Sequence, residues 1–173
     1  MARIAIVLGP DFEDVEFSHP RDALVDAGHD VDIIGVEAAT ELTGKKGDVQ
    51  ATTDRAATDA DPSDYEALVV PGGYSPDHLR TDGDLVGFVR KIGLSDVPVA
   101  AICHAGSLLI EAELVDGKRL TSWPSIKTDL QNAGARWVDE EVVVDGNLIS
   151  SRNPDDLPAF CEALLRAIDG EES

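Results

Sequence analysis

The run Pro98-Val-Ala-Ala-Ile-Cys-His-Ala-Gly106 constrains this chain more than any other. A short apolar stretch stops at Cys103, small residues follow at once, and a helical pattern begins with Ser107-Leu-Leu-Ile-Glu-Ala112. That order specifies a buried strand, a tight turn and a helix start. A side chain on such a turn stands at the carboxyl edge of a parallel sheet. The helix N-terminus beyond it favours a thiolate, and the backbone N–H of His104 can face a developing oxyanion. The run also fits a plainer reading, a small buried cysteine that ends a core strand.

The rest of the chain supplies the sheet. Arg3 to Leu8 is an apolar strand broken by Gly9-Pro10-Asp11, and a helix from Glu13 or Val15 to Ala27 ends at Gly28 as its C-cap. Asp30 to Val36 is a second strand, and Ala67 to Val70 a third, stopped by Pro71-Gly72-Gly73. Between them, Thr40 to Asp64 is the least regular part, with Gly47 to Thr53 readable as an edge strand or hairpin arm. Pro76 to Arg80, Gly83 to Leu94 and Ser125 to Ala133 read as helices, with Leu120 to Pro124 extended. Trp137 to Ser151 reads as a hairpin around Asp145-Gly146, and a closing helix runs from Asn153-Pro154 to about Ile168. Strands alternating with helices predict a flavodoxin-like, doubly wound α/β sandwich, a mostly parallel sheet with helices on both faces. Residues 1–173 are expected to form one domain, with about 170–173 as a frayed acidic tail.

Composition narrows the partners. The formal net charge is −20, with 34 Asp and Glu against 14 Lys and Arg, and the acid is spread along the chain. Nucleic acid and anionic membranes are therefore not expected as partners, because phosphate binding needs clustered cations. So acidic a surface predicts a protein adapted to a high-salt cytoplasm. No apolar run approaches the roughly 20 residues of a membrane span. The start of the chain is too short and poorly flanked for a signal peptide, which places it in the cytoplasm. Two cysteines, Cys103 and Cys161, belong to no CxxC pair, so neither a metal nor a cofactor is expected.

Open α/β sheets bind ligands beyond the carboxyl ends of their strands. Three such ends carry unusual chemistry: Gly9 to Glu13, Pro71 to Gly73, and Cys103-His104. Glu13 is the candidate to share a proton with Cys103, although an acid there can equally serve the helix dipole, as Asp11, Asp14 and Glu16 are expected to do. Gly72 and Gly73 permit close backbone approach, and the Gly73 N–H is a candidate second oxyanion donor. His104 is a base only if its ring turns back to the thiol. No histidine follows His104, which excludes class I glutamine amidotransferase and papain-like arrangements.

Five segments, Asp11-Phe-Glu-Asp-Val-Glu16, Ala67-Leu-Val-Val-Pro-Gly-Gly73, Ala101-Ile-Cys-His104, Thr121-Ser-Trp-Pro124 and Trp137-Val-Asp through Val143-Val-Asp-Gly146, occur together and in order. In this the chain resembles the PfpI group of the ThiJ/PfpI superfamily, the PfpI-like intracellular proteases and deglycases. The resemblance implies a nucleophilic Cys103 at a strained elbow, Glu13 within hydrogen-bond reach, and backbone donors from Gly73 and His104. It implies a homo-oligomer, a dimer or a hexamer built from dimers, and in certain hexameric members a carboxylate, at the position of Asp77, that orients His104 of a neighbouring subunit. The elbow reads Cys-His-Ala-Gly where the group usually has Cys-His-Gly-Pro, which is expected to loosen the helix start and widen the pocket. Trp123 stands on the pocket wall where tyrosine is common. The implied activity is hydrolysis or rearrangement at a carbonyl of a peptide, a glycated protein or a small aldehyde, without a cofactor. The competing expectation is a non-enzymatic oxidative-stress sensor or chaperone that uses the same cysteine.

Overall fold

The computed structural model describes residues 1–171. Its sheet is built from β1 (Arg3–Val7), β2 (Asp30–Gly35), β5 (Arg55–Ala56), β6 (Ala67–Val70), β7 (Val99–Ile102), β10 (Val143–Asp145) and β11 (Leu148–Ser151). Their order across the sheet is β10-β11-β7-β6-β1-β2-β5. All neighbours are parallel except the edge pair β10–β11. The helices are α1 (Asp14–Asp26), α2 (Ser75–Leu79), α3 (Gly83–Gly93), α4 (Gly106–Glu111), α5 (Lys127–Asn132) and α6 (Leu157–Ile168). Two small sheets complete the fold. One is the hairpin of β3 (Glu41–Thr43) and β4 (Gln50–Thr52); the other is the parallel pair of β8 (Arg119–Leu120) and β9 (Arg136–Trp137).

Alternation along each strand divides the core in two. Ile4, Ile6, Ala67, Val69, Ala100 and Ile102 face α1 and α6, where Phe17, Leu24, Phe160 and Leu164 are buried. Ala5, Val7, Leu68, Val70, Val99 and Ala101 face the other layer, against Leu79, Phe88, Leu108 and Leu130 of α2 to α5. The sheet is therefore covered on both faces, which is the condition under which near-continuous apolar runs form parallel strands. Strand order reverses at β1, with β2 on one side and β6 on the other. The loops after β1, β6 and β7 leave the same edge of the sheet.

Three sequence expectations change. Trp137 does not belong to the β10–β11 hairpin; it pairs with Leu120 in the β8–β9 sheet, and its indole N–H donates to Ser122 at 3.0 Å. The expected helix from Ser125 is a 3-10 turn over Pro124–Ile126 followed by α5, because Pro124 sets the first turn. In the expected tail, Gly170 and Glu171 are not frayed. They close α6 by donating to the carbonyls of Ala167 and Arg166, with Gly170 at φ +77° as the left-handed cap. Glu172 and Ser173 lie outside the described residues.

Candidate active site

Cys103 follows the last residue of β7 and opens a 3-10 turn at φ +62°, a conformation that costs a side-chain-bearing residue energy and that the surrounding packing must enforce. The residue is 9% exposed. Two backbone N–H groups, those of His104 and Gly73, are directed at its sulfur. Gly73 sits at φ +74°, and a Cβ there would overlap the backbone of Asp11, Phe12 and Glu13. A Cβ on Gly72 would strike the Glu16 carboxyl and the Cys103 side chain. Gly73 is thus required by conformation and contact, and Gly72 by contact.

The acid beside the thiol is Glu16, not Glu13. Glu16 is fully buried, its Oε1 accepts the Gly72 N–H at 3.0 Å, its Oε2 has no hydrogen-bond partner among the described residues, and its carboxyl and the Cys103 side chain both press against Gly72. Glu13 is also buried, but Lys45 holds it at 2.7 Å and Lys46 at 3.1 Å. The difference is one helical turn. Glu13 is the N-cap of α1 and faces the β3–β4 hairpin, whereas Glu16 lies on the buried stripe it shares with Phe17, Pro20 and Leu24. That stripe was the sequence signal for Glu16: a carboxyl four residues before Pro20 on the core-facing side of an amphipathic helix.

Burial, then the charge of Glu13, push Glu16 up to about 8. Burial, then repulsion from an ionised Glu16, push the Cys103 thiol up to about 12, against the N–H groups of His104 and Gly73 and the cation of Lys45. The two groups titrate as a pair. At neutral pH Glu16 is the protonated member, so its repulsion is absent and it can donate to sulfur. The site therefore places a protonated carboxyl beside a thiol, with two backbone N–H groups directed at the sulfur.

His104 turns its Nδ1 to the sulfur at 3.3 Å, and its Nε2 lies 3.1 Å from Ser125 Oγ. Burial, then Lys45, hold its basicity below the usual imidazole value. Trp123 is 41% exposed and its ring lies 6.5 Å from that of His104, on the open side of the site. Asp77 is exposed on α2, and within the chain the ring of His104 bonds to Cys103 and Ser125 instead. Gly106 does not widen a pocket. A Cβ there would come within 3.2 Å of Ile126 and Leu130, so its smallness lets α4 approach α5.

Sequence reading gave Gly47–Thr53 as an edge strand or hairpin arm, and β4 is such an arm, but it missed how the β3–β4 turn docks on α1. Asp14, 1% exposed, accepts from the N–H groups of Lys46, Asp48 and Val49, each at 2.9 Å. Burial alone would raise its pKa, but these hydrogen bonds hold it below the ordinary carboxylate value. The segment Glu13-Asp14-Val15-Glu16 thus uses three acids for three tasks. Glu13 grips two lysines, Asp14 holds the turn that carries them, and Glu16 packs beside Cys103. Among the described residues, no group of three or more His, Cys, Asp or Glu side chains is placed to hold a metal ion.

The sequence of residues 2–167 matches the model of the DJ-1/PfpI family. The chain belongs to the DJ-1/PfpI family. It is 44% identical over 167 residues to protein/nucleic acid deglycase 2 of Escherichia coli, covering 96% of this chain and 97% of that one. Among solved structures, it superposes with a TM-score of 0.96 and 37% identity on a two-domain protein of Anabaena variabilis, described as having DJ-1/ThiJ/PfpI-like and ferritin-like domains. The match covers all of this chain and 50% of the Anabaena protein. Drosophila melanogaster DJ-1beta superposes at 0.89 with 29% identity, covering 98% of this chain and 91% of that one. The mostly parallel sheet and its flanking helices are those of this family's flavodoxin-like fold.

Proposed function

We propose that this chain is a cofactor-independent thiol hydrolase of the deglycase type, acting at aldehyde-derived adducts on proteins or at the free aldehyde. The observation that carries the reading is the buried Glu16 carboxyl beside Cys103, with its Oε2 unpartnered among the described residues. The 44% identity to a relative named as a deglycase agrees with it. On an aminocarbinol adduct, the Cys103 sulfur forms a bond to the carbinol carbon as the carbon–nitrogen bond breaks, and Glu16 protonates the departing amine. The hemithioacetal then shifts hydrogen from the carbon bearing sulfur to the neighbouring carbonyl carbon. One carbon is oxidised as the other is reduced, so no external oxidant enters. Water cleaves the resulting thioester, the oxyanion lies before the Gly73 and His104 N–H groups, and the thiol is restored. A net charge of −20 favours protein adducts and free aldehydes over nucleic acid as substrates.

The test is conversion of methylglyoxal to lactate, and release of lactate from methylglyoxal-treated protein, in molar KCl. Wild type is expected to form lactate in both assays and Cys103→Ala in neither; full turnover in that variant removes the proposal. The second reading is a redox sensor, favoured by the same donors, which would also hold the oxygens of a sulfinate on Cys103. Selective oxidation of Cys103 by mild peroxide, with no turnover of either substrate, would decide for it. A homo-oligomer belongs to this proposal and is read by sedimentation; contact of Asp77 with His104 of a second copy is the alternative to Ser125 that Asp77→Asn tests.

A further inference from the structure

Two ionisable groups flank Cys103, and they differ in access to water: the Glu16 carboxyl, packed beside it, and His104, whose Nδ1 lies 3.3 Å from the sulfur. Glu16 is fully buried. His104 leads outward, because the serine at its Nε2 is exposed. Ser125 is also held in place by the elbow itself. The N–H of Trp123 donates to the Cys103 carbonyl at 3.1 Å, Pro124–Ile126 form one 3-10 turn, and Ile126 is buried where α4 meets α5.

We propose that Ser125 is a positioning residue whose hydroxyl fixes Nε2 of His104, so that Nδ1 faces Cys103 and a proton can pass between sulfur and solvent within one chain. The inference rests on the reading of Cys103 as the reacting thiol. A hydroxyl both donates and accepts, so it can serve either ring tautomer. When sulfur loses its proton, that proton goes to Nδ1, the Nε2 proton goes to Ser125 Oγ, and the hydroxyl proton goes to water. When Ser125 donates to Nε2, the ring proton stays on Nδ1 and supports the thiolate. A carboxylate only accepts, and would fix the proton on Nε2 or hold the ring as a cation. Here the charged group acting on the ring is Lys45, which together with burial keeps it neutral. The other titratable group against it is the Cys103 thiol, itself coupled to Glu16.

The experiment follows alkylation of Cys103 by iodoacetamide from pH 5 to 11, with the modified peptide resolved by mass spectrometry from that of Cys161. It compares wild type with Ser125→Ala, Ser125→Thr and Asp77→Asn, each checked by thermal melting. Ser125→Ala is expected to slow alkylation at pH 7 about fivefold, the equivalent of one net hydrogen bond, and to move the midpoint of the profile upward. Ser125→Thr, which keeps the hydroxyl, is expected to restore both, and the nitrogen-15 shifts of His104 should change only in the alanine variant. A folded Ser125→Ala with the wild-type profile overturns the inference. So does a shift with Asp77→Asn alone, which would assign the ring to a carboxylate from a second copy. Alkylation needs no substrate, so failure of the deglycase reading would appear as absent turnover while this comparison still stands.

Discussion

Glu16 and Glu13 are both buried acids at one helix start, yet Glu16 packs beside Cys103 while Glu13 is paired with Lys45 and Lys46, and the two should fail differently. Glu16→Gln retains shape and loses the proton, so turnover is expected to fall by roughly 10²- to 10⁴-fold, the usual range for a lost general acid. Glu13→Gln leaves Glu16 in place and is expected to retain most turnover while freeing Lys45 and Lys46. Stability separates them as well. Glu16 is raised from 4.5 to about 8 in the folded chain. The fold therefore binds this proton more tightly than the unfolded chain does. The stabilisation is complete below the unfolded value and is lost as pH rises through that window. Melting of wild type is expected to fall between about pH 5 and 8, and the Glu16→Gln variant to show a flatter curve over the same range.

At the scale of elements, the β3–β4 hairpin is attached to α1 through one carboxylate. Asp14→Asn keeps a single acceptor where three N–H groups converge. It is expected to cost about 2 kcal/mol and to expose the amides of Lys46, Asp48 and Val49 to hydrogen exchange, with α1 still protected; unchanged protection would show that the turn holds itself. This hairpin also marks where the sequence was least legible. β1, β6 and β7 could be read because apolar runs end in Gly-Pro, Pro-Gly-Gly and Cys-His, and α6 because its apolar period is clean. Cys103, Gly73 and His104 could be placed for the same reason, since each follows the end of a strand. The lysines could not. Lys45 and Lys46 reach the site through a long-range contact with Glu13, and no local pattern encodes which of two nearby acids a distant loop will claim. The choice between Glu13 and Glu16 was legible in principle from the buried face of α1. The pairing of Trp137 with Leu120 was not, because two-residue strands have no period.

At the scale of the whole molecule, the excess of acid is the dominant field. With −20 spread over 173 residues, self-repulsion opposes compaction. Salt reduces the screening length from about 10 Å at 0.1 M to about 3 Å at 1 M. The melting temperature is expected to rise on going from dilute buffer to molar KCl, and equal values in the two would refute salt adaptation. Among the described residues no helix is long and apolar enough to cross a membrane.

The groups around the sulfur come from chain segments that begin at Glu13 and end at Ser125, and only the complete fold makes them coincide. Reactivity here is a conjunction. A copy that loses one loop keeps its cysteine but no longer has the proton, the donors and the ring in one place, and so it becomes an ordinary thiol. Under the proposed function, thiol reactivity is therefore a gauge of intactness, lost with the first loop displaced.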